Sequence, residues 1–187
     1  MFGRLSDWLS RVSTGPVTLA ALIIFLLFTA LVLPRQSRSA ESVSRGAGSP
    51  DTSFFYSPGD LYRMAEAYGA AGRAAYVRAR FTFDVIFPLV YTLFLATAIS
   101  WVFARAFPPG SPWQRANMVP LLAALFDLLE NASTSLVMAR YPAQTPVVDT
   151  LAPLFSLAKW VFVIGSFMLL FAGVVIAVWR WIKKGKG

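Results

Sequence analysis

Residues 120–140, PLLAALFDLLENASTSLVMAR, are apolar enough to cross a bilayer, yet they carry Asp127, Glu130 and Asn131 in their middle. On a helix these positions fall at i, i+3 and i+4 and share one face. A carboxylate near the bilayer centre costs roughly 2.5–3.5 kcal/mol on insertion scales, so a turn bearing two of them turns away from lipid. That face has to meet an interior, a partner or a cavity. The rest of the chain is constrained to supply it.

Three further apolar runs occur, at residues 17–33, 81–107 and 150–182, and the acidic run extends over 116–138. Each reaches the roughly 20 residues that a helix needs to span, or comes close to it. The expected fold is all-α, a polytopic membrane protein with four transmembrane helices in one bundle over residues 1–187. Hydrophobic residues make up 57% of the chain and charged ones 14%, which places it among membrane proteins. The net charge of +8 comes from basic residues flanking the apolar runs, not from a stripe on a soluble domain, and this argues against nucleic acid. With no Cys and no His, disulfides, thiol or imidazole catalysis, the usual zinc sites and His- or Cys-held haem are excluded. No cofactor or metal is expected, and the first partner is the lipid bilayer.

Outside the spans, Phe2, Leu5, Trp8, Leu9 and Val12 form one stripe of an amphipathic helix expected on the membrane surface. Residues 17–33, charge-free throughout, read as an uncleaved anchor. The extramembrane loop 34–80 begins with RQSRSAESVSRGAGSP, whose Ser and Gly content predicts a flexible strap. Ser57, Pro58 and Asp60 supply an N-cap, a proline at N1 and an acid at N3, which starts a helix. Leu61, Met64, Ala65 and Tyr68 then give that helix an apolar face for the membrane or the spans. Gly69 and Gly72 end or bend it. A second helical stretch from Arg73 is expected to run unbroken into the span at 81–107, with Arg78 and Arg80 snorkelling to the surface.

An even number of spans puts both termini on one side. The basic residues divide eight against eight between the two sides, so the count alone does not orient the chain. The dense basic tail after Trp181 and the alignment of Trp8, Trp101, Trp113, Trp179 and Trp181 at one interface favour cytoplasmic termini in the inner membrane.

The span at 81–107 carries Asp84, Pro88 and Tyr91 on one face, and the last span carries Lys159. At about 1.5 Å per residue, Glu130 and Lys159 lie roughly 14 Å from the outer ends of their helices and Asp84 roughly 8 Å, so the ionisable groups meet in the outer half of the bilayer. Pro88 also frees a backbone carbonyl near Asp84 that neighbours must satisfy. One reading is a polar pocket that binds or transports a small amphiphile, a lipid headgroup or an ion. Its lining would be Asp84, Tyr91, Asp127, Glu130, Asn131, Thr134 and Lys159, with Arg73 and Arg80 as an anion-attracting mouth. The other reading is interhelical glue, with Lys159 fixing helix register against one or two acids. A membrane-protein partner covering the polar face, as in a subunit of a larger complex, is a further alternative. So is an intramembrane enzyme using Asp127 or Glu130 as general acid or base on a lipidic substrate.

The segments YGAAGRAAY (68–76), FDVIFPLVYTLFLA (83–96) and PLLAALFDLLENASTS (120–135), with Lys159-Trp160, resemble a family of small four-span bacterial membrane proteins. The most specific shared element is D-x-x-E-N on the third span. The resemblance implies the four-span fold and carries no activity, substrate or cofactor with it.

Overall fold

The structure is a computed structural model, and it describes residues 2–44 and 46–184. The described residues form seven α-helices and no strand. Four stretches, Gly15–Ser44, Pro58–Ala106, Pro112–Arg140 and Val148–Lys184, contain helix long and apolar enough to cross a membrane.

Helix α1 (Phe2–Val12) packs on the 3-10 turn Pro112–Met118 and on α5 (Phe83–Ala106). Its anchor is a neutral polar knot. The fully buried Asn117 accepts from Ser6 Oγ at 2.8 Å and donates to Ser100 Oγ at 2.9 Å and Ser10 Oγ at 3.3 Å. Leu5 and Trp8 face outward.

Helix α2 (Gly15–Leu27) continues through a π-helical stretch, Phe28–Val32, into α3 (Leu33–Ser44). Pro34 accounts for the widened turn. Its ring cannot donate and crowds the carbonyl four residues back, so the helix opens to i→i+5 bonding just before it. Leu33 accordingly donates to the Phe28 carbonyl. The strap expected at residues 35–50 is therefore helical as far as Ser44. The helix already formed by the apolar run serves as nucleus, and Arg, Gln, Ala and Glu propagate it. Ser39, Ser42 and Ser44 turn their hydroxyls back onto carbonyls of their own helix. Gly46 (φ 82°) and Gly48 (φ 77°) then take the left-handed conformations that let the chain reverse.

Helix α4 (Pro58–Arg80) starts where expected, with a capping box in which Ser57 and Asp60 exchange side-chain to backbone bonds. It bends at Gly69 (φ 65°, ψ 176°), and Arg73 donates to the Ala65 carbonyl at 2.8 Å across the bend. Its apolar face rests on α6 (Val119–Arg140) and α7 (Val148–Lys184), where Leu61, Met64, Ala65, Tyr68 and Tyr76 pack with Val137, Met138 and Ala152. The run into the next span is not continuous. Phe81 and Thr82 form a turn, with Thr82 outside helical geometry, before α5 begins.

Helices α5, α6 and α7 pack on one another, and α2 packs on α5. Ala21 of α2 and Ala123 of α6 meet Tyr91, Phe94, Leu95 and Ala98 of α5, while α2 turns Leu19, Ile23, Ile24 and Leu27 outward. Helix α7 approaches α5 closely at Gly173, where a Cβ would overlap the Phe103 ring. Gly173→Ala should lower stability by about 1–3 kcal/mol through overpacking. Gly165 on the same helix has no neighbour within 4 Å of a Cβ. Gly165→Ala should be neutral or stabilise by up to about 1 kcal/mol through helix propensity. Thermal unfolding of both variants in detergent checks the contrast.

Candidate functional site

The acidic face of α6 meets side chains from every element around it. Glu130, 0% exposed, is ion-paired through Oε2 with Lys159 Nζ of α7 at 2.5 Å. The Tyr56 phenol donates to Glu130 Oε1 at 3.3 Å from the segment preceding α4. Burial and the neighbouring Glu130 carboxyl push that phenol above its ordinary pKa. It therefore stays protonated and has a hydrogen to donate to the carboxylate.

One turn away, Tyr91 of α5 donates to Asp127 Oδ2 at 3.1 Å. Asp127 is half-buried, and among the described residues this is its sole hydrogen bond. Asn131 Nδ2 donates to the Asp84 carbonyl at 3.2 Å. That carbonyl is the one Pro88 leaves without its helical partner, so the asparagine repairs the break that the proline makes. Thr134 accepts from the Tyr76 phenol at 3.1 Å and donates to the Glu130 carbonyl at 2.9 Å.

Arg80 lies at the end of α4 and is only 5% exposed. It does not snorkel. Its Nη2 pairs with Asp84 Oδ2 at 3.0 Å, and its guanidinium stacks 4.4 Å from the Tyr76 ring centre. Its Nη1 lies 3.5 Å from Oδ1 of the Asn131 side chain. Arg80 is the last residue of α4, and the chain turns at Phe81–Thr82 before α5 begins. Arg73 does not join Arg80 in a mouth. It stacks 4.7 Å from the Tyr141 ring centre and serves the Gly69 bend.

Sequence reasoning missed three contributors. Asp51, in the 3-10 turn Pro50–Thr52, forms an ion pair with Arg80 Nη1, and its backbone carbonyl lies 3.5 Å from Lys159 Nζ. Tyr56 reaches Glu130 as described. Ser156, one turn before Lys159, donates to the Ser53 carbonyl at 3.2 Å and so holds the same segment. The signal for the first was Ser49-Pro50-Asp51-Thr52, a turn former that marks a defined structure within a stretch of loop composition. Ser156 shares a helical face with Lys159 at i−3, a spacing that was readable.

The arrangement is thus a mutually paired cluster, sealed on one side by residues 49–57. It brings together Asp84, Tyr91, Asp127, Glu130, Asn131, Thr134, Lys159 and Arg80 and leaves Arg73 outside. Among the described residues no group of three or more acidic side chains is placed to hold a metal ion. No protein-family model, curated protein or solved structure matches the chain. The chemistry on hand is anion contact through two buried cations and cation or proton contact through the acids.

Lys159→Met should destabilise by about 3–5 kcal/mol, because it leaves Glu130 buried without a counter-charge. Combining it with Glu130→Gln should restore most of that loss. Thermal unfolding of the two single variants and the double variant measures the coupling; additive losses would contradict a direct pair.

Proposed function

We propose that the chain is a four-helix bundle in the inner membrane, with both termini cytoplasmic, that binds a small amphiphile at the polar cluster in the outer half of the bilayer. Membership in the family of small four-span bacterial membrane proteins with the D-x-x-E-N motif belongs to the same proposal. Helix α1, with Leu5 and Trp8 turned outward, lies on the cytoplasmic surface.

One observation carries the binding reading. The charged cluster is covered by segment 49–57 and is not closed by α5, α6 and α7 alone, and that segment is held there by polar contacts from Asp51, Ser53 and Tyr56 as well as by the buried Pro50 and Tyr56 ring. A groove of about 460 Å³ runs along the same segment and is lined by Ser53, Phe55, Tyr56 and Met64 among others. Its lining is mixed, with Asp60 and Arg63 beside Phe55, Met64 and Ala67, and displacing the segment would open the charges next to it, which suits a ligand with a polar head and an apolar tail.

A second reading, interhelical glue, is favoured by the pairing itself, since Lys159 and Arg80 each already hold a carboxylate. A partner subunit has less support. The acidic face of α6 is covered by this chain's own α4, α5, α7 and segment 49–57.

Mass spectrometry of lipids and metabolites on the purified protein separates the readings. A specific amphiphile should accompany the wild type and be depleted in Asp127→Asn and in the neutralised pair Glu130→Gln/Lys159→Met. Finding nothing specific, or equal amounts in all three, would favour glue.

The native chain has no cysteine, so topology can be tested with single cysteines. Ser42→Cys should react with an impermeant maleimide in intact cells, whereas Pro109→Cys should react only after permeabilisation. The reverse pattern overturns the orientation.

A further inference from the structure

Resting on the binding reading above, we infer that Arg80 is the anion subsite of the cluster and that Asp51 occupies it as an internal stand-in for an anionic headgroup. The ligand class is then a carboxylate or phosphate on an apolar tail.

Without Asp51 both cations are already paired: Arg80, at the end of α4, with Asp84 at 3.0 Å and Lys159 with Glu130 at 2.5 Å. Asp127 is held separately by Tyr91. Asp51 adds a fourth carboxyl against two cations, so charge neutrality does not call for it. It is also the only one of the four carried by an extramembrane segment. Its neighbours fit a replaceable group. Ser49 Oγ donates to its other oxygen at 2.9 Å, and Lys159 Nζ lies 3.5 Å from its carbonyl. An anion arriving at this spot would therefore face both cations.

Arg80 has donors to spare. A guanidinium carries five N–H groups in a planar fork suited to carboxylate and phosphate. Arg80 Nε is buried and without a hydrogen-bond partner among the described residues. A headgroup with its oxygens free to move can engage more of that fork than a carboxylate tethered to a three-residue turn. A headgroup reaches Arg80 only if the segment that carries Asp51 is displaced. The segment follows two glycines with positive φ, Gly46 and Gly48, neither of which has any atom within 4 Å of a Cβ position. It also carries Phe54 and Phe55 exposed, 51% and 63%, beside the groove where a tail would lie.

The test uses the full chain in phosphatidylcholine nanodiscs, with oleate and dodecyl phosphate as probes and acetate and inorganic phosphate as tail-less controls. Removing the internal competitor in Asp51→Asn should tighten binding of the tailed anions roughly tenfold, the scale of one charge-assisted hydrogen bond. Tyr56→Phe, which loosens the same segment without touching Arg80, should tighten it in the same direction by less, and it keeps the question open to test if Asp51→Asn folds poorly. If acetate or inorganic phosphate competes at the concentrations that saturate oleate, the subsite stands and serves free anions as well. Unchanged or weaker binding of the tailed anions in both variants overturns the assignment of Asp51. Failure of both probes on every protein also overturns it, whereas a specific molecule still found by mass spectrometry would leave the broader binding reading intact.

Discussion

The rest of the structure depends on the cost of placing charge where water is scarce. Glu130 is completely buried on a helix whose flanking turns are apolar, and it is tolerable there only because Lys159 reaches it from α7. That single pair fixes the rotation of α6 against α7. Once the rotation is set, Asp127 is directed at Tyr91 of α5 and Asn131 at the carbonyl that Pro88 exposes. The proline and the asparagine are one device on two helices: the break in α5 is affordable because α6 supplies the missing donor.

The part of the chain that precedes α5 is organised by the same cluster. Helix α4 is held on α6 and α7 by an apolar face, but its end is placed by Arg80, which turns inward to Asp84 and stacks on Tyr76. The segment before α4 follows, with Asp51 and Tyr56 inserted into the charges from the outside. A stretch that lies outside the four long apolar helices in sequence thus completes a charged cluster between them.

Four helices long and apolar enough to cross a membrane, and the polar face of α6, were legible because both signals are local. Length and hydropathy mark a span, and i, i+3, i+4 spacing marks a face. The pairs Arg80–Asp84 and Lys159–Glu130 were also within reach, one by helical spacing and one by depth. Other features were not. Residues 35–44 looked like a strap because Ser-rich composition says little about a segment propagated from an existing helix. Arg80 looked like a snorkelling residue because the break at Phe81–Thr82 carries no glycine or proline. Asp51 lay in a stretch of loop character, and its partner is 29 positions away, across a turn and a bent helix. Contacts of that kind depend on chain reversal at Gly46 and Gly48, which composition announces but does not aim.

The chain also contains its own control for the choice between glue and site. Asn117, near the other end of α6, ties α1, α5 and the 3-10 turn together using only neutral groups: its amide, three serine hydroxyls and the Ser6 backbone carbonyl. Neutral groups thus suffice in this fold to lock helices in register. Buried hydrogen-bonded amides also avoid the several kcal/mol that each buried ion costs in desolvation. If register were the whole purpose at Glu130, a second knot of the Asn117 kind would achieve it at lower cost. Two cations and four carboxyls, with one carboxyl delivered from outside the spans, are a costly solution to a packing problem and a suitable one for recognising charge.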